Sequence, residues 1–225
     1  MFRFSRLMFL PFLFFLTTTA FAGVEIGGTR VIYDGNNKQA SISVNNPDDR
    51  PYLIQSWVNK QEEGDDNDTT FITTPPLFRL DQHTQNSVRV VLSSDKIPQD
   101  KESVFWLNIK SIPASNSSAN NELLIAVKTR MKLMYRPAGL QGDPATAWQK
   151  LTFTHKNGKL LVSNPTPFSV SLYDVKVNDQ EIKNTPMVLP GQEISLGRDA
   201  TSGSKIRWKA INDFGGITTG KEITL

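Results

Sequence analysis

The stretch of sequence that decides the fold is NELLIAVKTRMKLMYRP, residues 121–137. On both sides of Thr129 an apolar side chain occupies every second position: Leu123, Ile125 and Val127, then Met131, Leu133 and Tyr135. The opposite parity carries three basic residues, Lys128, Arg130 and Lys132. Strict alternation indicates a β-strand, whose successive side chains point to opposite faces. The pattern predicts one strand from Leu123 to Tyr135, longer than the usual length of about five or six residues. It stops at Pro137, which has no N–H to donate.

Shorter alternating runs recur through the rest of the chain, and helical periodicity is almost absent. These runs are 40–44, 52–58, 87–92, 104–109, 160–162, 168–177 and 206–211. Turn residues separate them, and Asn157-Gly158, between Phe153 and Leu160, is the strongest hairpin signal. Many short strands at this spacing predict an all-β fold of antiparallel sandwiches.

A domain boundary is visible where Arg136-Pro137-Ala138-Gly139 ends the long strand. Proline and glycine there, followed by further turn residues, are typical of a short linker. The chain therefore divides into residues 23–137 and 138–225, each the size of an immunoglobulin-like β-sandwich domain. Trp57, in the run 52–58, is predicted to be a buried core tryptophan.

Residues 1–22 have the composition of a secretory signal peptide. Arg3 and Arg6 precede a short apolar run, and Ala20-Phe21-Ala22 supplies small residues for cleavage after Ala22. The apolar run is shorter than the roughly 20 residues of a membrane-spanning helix, which makes an uncleaved anchor the less favoured alternative. Removal of this segment lowers the formal net charge from +3 to +1. The chain has no cysteine, so an exported protein would depend on its hydrophobic cores alone, as in a bacterial periplasm.

Catalytic motifs are absent from the sequence. His83 and His155 are the only histidines, and no Walker loop, G-x-S-x-G or H-E-x-x-H motif is present. An enzyme would require a pocket that joins one of these histidines to a carboxylate and a serine. The acidic run 62–68 lacks the spacing of a calcium loop and is interpreted as a solvated loop. We therefore expect no enzyme activity, no cofactor, no metal and no binding of nucleotides or nucleic acid.

Several segments resemble the periplasmic pilus chaperones of the PapD type. The residues 97–113, IPQDKESVFWLNIKSIP, match the family signature of acidic, basic, Glu-Ser, aromatic-x-Asn and a final apolar-Pro. Further matches are TRVIYDG at 29–35, PPLFRLDQHTQNSVR at 75–89, KLMYRP at 132–137, NPTPF at 164–168 and NDFGG at 212–216. Two features depart from the family: Gln82-His83 replaces a frequent Pro-Gly, and a cysteine pair common in the second domain is missing.

The resemblance implies two immunoglobulin-like domains joined at an angle, and a long strand that completes the unfinished sandwich of a pilus subunit. Leu123, Ile125 and Val127 are then the side chains inserted into the subunit, whereas Met131, Leu133 and Tyr135 belong to the chaperone's own core. From the residues alone, the alternative is that all of them face the core of their own domain.

The resemblance also assigns roles to charged residues. It implies that Arg30 and Lys132 bind the C-terminal carboxylate of the subunit in the cleft between the domains. Glu102, Arg136 and Asp213 would form an ion network across the hinge, the alternative being three unrelated surface charges. Lys128 and Arg130 are interpreted as solvated charges on an edge strand.

The implied partners are pilus subunits and an outer-membrane usher. The short connection 114–121 resembles that of the short-loop subclass. We also expect self-association through the exposed strand when no subunit is bound, because an open hydrophobic strand edge attracts further strands. The alternative is an exported two-domain adhesin or other binding module.

Overall fold

A computed structural model describes residues 23–63, 68–115 and 123–225. The signal segment 1–22, the centre of the acidic run 62–68 and most of the connection 114–121 lie outside the described residues. The predictions that rest on them therefore remain predictions. The described residues are almost entirely β-structure, with one short 3-10 helix at Ala147–Lys150. No helix among them is both long and apolar enough to cross a membrane.

Two facing sheets build the first domain, as a β-sandwich requires. Its strands are β1 Glu25–Ile26, β2 Arg30–Asp34, β3 Ala40–Asn46, β4 Tyr52–Asn59, β5 Phe71–Thr74, β6 Leu77–Leu80, β7 Thr84–Leu92, β8 Ser103–Pro113 and β9 Val127–Arg136. One sheet has the order β1-β3-β7-β5 and the other the order β2-β9-β8-β4-β6. All neighbouring strands are antiparallel except β2 and β9, which run parallel. The first core lies between these sheets.

Trp57 is not part of that core, contrary to the prediction. Along β4 the buried positions are Tyr52, Ile54, Ser56 and Val58, so Trp57 has the opposite parity and lies half-buried on the outer face of its sheet. The fully buried tryptophan is Trp208 of the second domain. Alternation along β4 places Trp57 on the face opposite to that of Tyr52, Ile54 and Val58.

The second domain is a sandwich with its own core. Its strands are β10 Thr152–Lys156, β11 Lys159–Ser163, β12 Val170–Val177, β13 Gln180–Glu181, β14 Met187–Val188, β15 Glu193–Asp199, β16 Lys205–Ile211 and β17 Lys221–Thr224. One sheet has the order β10-β11-β15, and the other has the order β13-β12-β16-β17 with β14 paired to β12. The predicted hairpin is confirmed: Asn157 and Gly158 have φ values of 52° and 75° between β10 and β11, as a primed two-residue turn needs.

The turn at Gln82-His83 also has left-handed geometry. His83 has a φ of 54°, in the region that glycine adopts most easily and other residues less often. Its ring Nε2 lies 2.9 Å from Asp49 Oδ1 on the surface. The chain therefore keeps the turn without the glycine that the family often has there.

Candidate functional site

Strand β9 has one edge that is only partly paired. On one side it pairs with β8 from Val127↔Ser111 to Tyr135↔Ser103. On the other side β2 pairs with it only from Arg30↔Lys132 onward. Between Val127 and Met131, no strand among the described residues covers this second edge. The backbone there offers unpaired N–H and C=O groups, on which a further strand can form hydrogen bonds.

The segment before β9 exposes apolar side chains. The predicted inserts Leu123, Ile125 and Val127 are 82%, 65% and 55% exposed. Their own core does not cover them, which disagrees with the alternative in which every alternating residue faces that core. Residues 123–126 are not assigned to a strand, so the prediction of one strand from Leu123 was wrong by four residues at its start.

The second apolar group of the strand lies in the first core. Met131, Leu133 and Tyr135 are buried. Leu133 pairs with Val31 on one side and with Phe105 on the other. Both groups have the same parity, so the segment 123–135 presents its apolar side chains first to solvent and then to its own domain.

Arg30 and Lys132 lie where the free edge ends. They are direct partners in the parallel β2–β9 pair, so their side chains project from the same face of strands about 4.8 Å apart. Burial and, less strongly, the charge of Arg30 lower the pKa of Lys132, against the opposing effect of Glu62. Burial likewise lowers the pKa of Arg30, although Asp213 opposes it. Two partly desolvated cations side by side favour the binding of an anion.

Next to Arg30, a cavity of about 190 Å³ lies between the two domains. Arg30 donates from Nη1 to the Ile211 carbonyl at 3.3 Å. Its Nε and the Ser169 hydroxyl, both on residues that line the cavity, are buried without a hydrogen-bond partner among the described residues. Buried polar groups are normally hydrogen-bonded, so this cleft has capacity for a polar ligand group.

An ion network joins the domains just beyond these cations. Arg136 donates from Nε to Glu102 at 2.6 Å and from Nη1 and Nη2 to Asp213 at 2.8 and 3.1 Å. The three residues that the resemblance grouped therefore meet, and they are not the unrelated surface charges of the alternative. Glu102 also accepts from the Ser169 N–H at 2.7 Å and donates its own N–H to the Pro167 carbonyl. Main-chain groups such as these carry no sequence signal, and sequence analysis missed them.

The electrostatics of the network follow from its burial. Desolvation raises the pKa of Glu102, whose side chain is 1% exposed, and Arg136 and the Ser169 N–H oppose that rise. Desolvation also acts to lower the pKa of Arg136, but the hydrogen bonds and charges of Asp213 and Glu102 outweigh it and raise the pKa. Arg136 is thus a permanent cation held between two carboxylates.

The loop that carries Asp213 is folded by its own residues. Asn212 Oδ1 accepts the N–H groups of Phe214 and Gly216. Gly215 has a φ of 84°, and a Cβ there would come 2.5 Å from Thr29 Oγ1 of the first domain. Glycine is needed because the two domains touch at this point, directly beside Arg30.

Neither histidine lies in a catalytic arrangement. His83 lies beside Asp49 in an open surface depression, and the lining residues of that depression include no serine. His155 is exposed in β10. The pocket that an enzyme would have required is not found among the described residues.

Comparison with known families matches both halves of the chain. The family model described as "Pili and flagellar-assembly chaperone, PapD N-terminal domain" matches residues 23–141. The one described as "Pili assembly chaperone PapD, C-terminal domain" matches residues 146–222.

Relatives and solved structures agree with these matches. The "Probable fimbrial chaperone LpfB" of Escherichia coli O157:H7 is 44% identical over 94% of this chain and 93% of its own length. A chain of the Salmonella enterica complex of SafA pilin with the SafB chaperone has a TM-score of 0.81 and 32% identity, over 92% of this chain and 99% of its own. The periplasmic chaperone SfaE has a TM-score of 0.76 and 36% identity, over 90% of this chain and all of its own.

Proposed function

Because this chain belongs to the family of PapD-type pilus-assembly chaperones, we propose that it captures pilus subunits by lending them the segment 123–126 and the start of β9. Relatives bear the names of chaperones, so the alternative of an adhesin or other binding module is not favoured. The site of action is the periplasm, and we propose that the signal segment is cleaved after Ala22. Loaded subunits are then delivered to an outer-membrane usher.

The observation that carries this proposal is the half-open edge of β9. A subunit strand can pair with the free main chain, while its groove receives Leu123, Ile125 and Val127. Each of these side chains contributes about 1.5–3 kcal/mol when it is fully buried. Main-chain pairing does not depend on sequence, so one chaperone can serve several subunits.

Arg30 and Lys132 are proposed to anchor the C-terminal carboxylate of that subunit strand. The free edge ends at these residues because β2 occupies the edge beyond them. A strand whose C-terminus reaches Lys132 from the side of Leu123 runs parallel to β9, in line with β2. Lys132 lies about 17 Å along the strand from Val127 and about 30 Å from Leu123. One anchored terminus therefore fixes the positions of three inserts.

The anchor chemistry suits the burial of a carboxylate. Charge-assisted hydrogen bonds from two cations offset the cost of removing the carboxylate from water. If one cation is removed, the carboxylate is left with half of its partners, at a cost of about 3–5 kcal/mol. The network of Glu102, Arg136 and Asp213 is proposed to hold the domains at the angle that forms the cleft.

The test is co-expression, in the periplasm, of the tagged chain with pilus subunits of its own host. We expect the unaltered chain to keep a subunit soluble and to co-purify with it. Lys132→Met and Ile125→Asp should fold and lose the subunit, by removing the anchor and by placing a charge in the subunit groove, respectively.

A matched control is Ile72→Asp, which changes an exposed isoleucine on the other sheet. This variant should retain the subunit. Normal capture by Lys132→Met would refute the anchor, and normal capture by Ile125→Asp would refute the insertion of the strand.

A further inference from the structure

Three successive cations on the outer face of β9 each have a specific partner. Lys128 Nζ lies 5.9 Å from the ring centroid of Trp57, and Lys132 Nζ lies 5.9 Å from that of Trp106. Between them, Arg130 donates from Nε to Asn108 Oδ1 at 3.2 Å. Cation–π contacts and hydrogen bonds of this kind fix long side chains that otherwise move freely.

Two buried amides hold Arg130 in place. Asn108 is fully buried, and its Nδ2 donates to Asn59 Oδ1 at 2.6 Å and to the Trp106 carbonyl at 3.2 Å. Buried amides are costly unless they are hydrogen-bonded, so this chain of contacts defines the position of the guanidinium. Arg130 is half-buried and positioned, whereas the sequence analysis interpreted it as a solvated charge.

The face around these cations has no acidic residue on its strands. The outward positions of β8 from 104 to 112 and of β9 from 128 to 134 carry apolar, amide and basic side chains only, with Lys110 paired to Lys128. Within the described ranges, no ion pair involves Lys128, Arg130 or Lys132. Glu62 acts on Lys132 by its charge from outside these strands. The surface is thus complementary to carboxylates.

We propose that Arg130 and Lys128 recognise acidic side chains of the C-terminal residue of a captured subunit and of the residue two places before it. The inference rests on the proposed function, in which the subunit strand runs parallel to β9 with its terminal carboxylate at Lys132. Alternate residues of that strand project from the same face as the cations. Arg30 already occupies the place opposite Lys132, so the C-terminal residue lies opposite Arg130 and its carboxylate points towards Lys132. The residue two places before it lies opposite Lys128, about 7 Å further back along the strand.

The test uses short fluorescein-labelled peptides with an alternating strand sequence and a free C-terminal carboxylate. Positions are counted back from the C-terminal residue. One peptide carries Glu at the C-terminal residue and at the second position, and a second carries Gln at both. A third carries Glu at the first and third positions, where the side chains project from the opposite face. A fourth is the Gln peptide with an amidated C-terminus. Binding to the full mature chain is measured by fluorescence anisotropy at low and high salt.

We expect the first Glu peptide to bind more tightly than the Gln peptide by roughly two- to fivefold per carboxylate at low salt, and by less at high salt. Lys128→Met keeps the apolar stem over Trp57 and Arg130→Gln keeps an N–H donor for Asn108, and each should reduce that ratio. Lys156→Gln, which removes a distant exposed charge, should leave the ratio unchanged.

Equal binding of the first Glu peptide and the Gln peptide would overturn the inference. An equal gain for the shifted Glu peptide would also overturn it, since it would indicate a general polyanion surface. The amidated peptide tests the anchor separately: if amidation does not weaken binding, the proposed function fails at Lys132. If amidation weakens binding while Glu and Gln remain equivalent, only the acidic recognition fails. Failure of every peptide to bind would count against both.

Discussion

At the scale of single residues, Arg30 and Lys132 lie side by side at a cost to stability. Two adjacent cations, both partly desolvated, repel each other in the free protein. Glu102 is the opposite case, because it is buried and fully hydrogen-bonded within the protein. The same cleft therefore contains Arg136, which is paired with Glu102 and Asp213. It also contains Arg30 and Lys132, for which no ion pair is found among the described residues.

The buried carboxylate of Glu102 should appear in the pH dependence of folding. Its pKa in the folded protein is raised above the ordinary value of 4.5, so its contribution to stability is present below that pH. The contribution is lost as the pH rises through the folded pKa. Glu102→Gln removes this dependence. The free energy of unfolding of the variant minus that of the unaltered protein should increase above pH 4.5, by at most about 1.4 kcal/mol per pH unit.

The measurement is urea unfolding at a series of pH values. Glu193→Gln, which alters an exposed glutamate of the second domain, is measured over the same pH range for comparison. A difference for Glu102→Gln that falls with rising pH would contradict the raised pKa.

At this scale the resemblance groups Arg136 with Glu102, and their side chains meet in the structure, but no pattern in the sequence indicates a main-chain partner. The contacts of Glu102 with the main chain of Ser169 and Pro167 are seen only in the structure. Trp57 is expected in the core because tryptophan is a large apolar residue, but its parity along β4 puts it on the outer face of the sheet. Arg130 was misjudged because the sequence does not show that Asn108 and Asn59 are buried beside it.

At the scale of the element, β9 shows what alternation predicts and what it does not. The apolar pattern runs without change from Leu123 to Tyr135, but regular strand structure begins only at Val127. The neighbouring strand β8 ends at Pro113, opposite the position where Ile125 would pair. Proline offers no N–H there, so the ladder stops while the alternation continues. Alternation shows which side chains share a face, but regular strand structure also requires a neighbouring strand with which the backbone can pair.

The two apolar groups of the segment 123–135 should respond differently to shortening of their side chains. Leu133→Ala removes a side chain with no solvent exposure, and should lower the free energy of unfolding by about 2–5 kcal/mol. Ile125→Ala changes an exposed side chain of the free protein, and should alter it by no more than about 0.5 kcal/mol. Chemical denaturation of both variants makes the comparison.

Similar losses in both variants would mean that Ile125 is covered in the free protein. Self-association through the open edge, which stays a prediction, is one way to cover it. The Ile125→Ala measurement should therefore be repeated at several protein concentrations.

At the scale of the whole molecule, two cores are joined by few but specific contacts. The all-β class and the two-domain division were predictable because turn residues and alternating runs recur along the whole chain. The meeting of Gly215 with Thr29 was not, since it depends on the relative position of two separately folded sandwiches. Arg136 adds a second contact between the domains, through its hydrogen bonds to Glu102 and Asp213.

Replacement of Arg136 should loosen the angle between the domains. Arg136→Ala leaves Glu102 buried without its cation, and should destabilise the domain junction by about 3–5 kcal/mol. Arg136→Lys restores the charge but not the fork that reaches both carboxylates, and should recover only part of the loss. Small-angle scattering should show a broader distribution of interdomain distances for the Ala variant. An unchanged scattering profile would show that the network does not set the angle.

The junction of β2 with β9 has a consequence for how a partner is measured. In the proposed function, the end of a partner strand meets β2 at a fixed residue, so the position of every partner residue is set by its distance from that end. Strand side chains alternate with a period of two, so partner strands that differ in length by one residue are distinguished. A partner extended by one residue arrives out of phase, with its groove-facing and solvent-facing side chains exchanged, and a second added residue brings it back into phase.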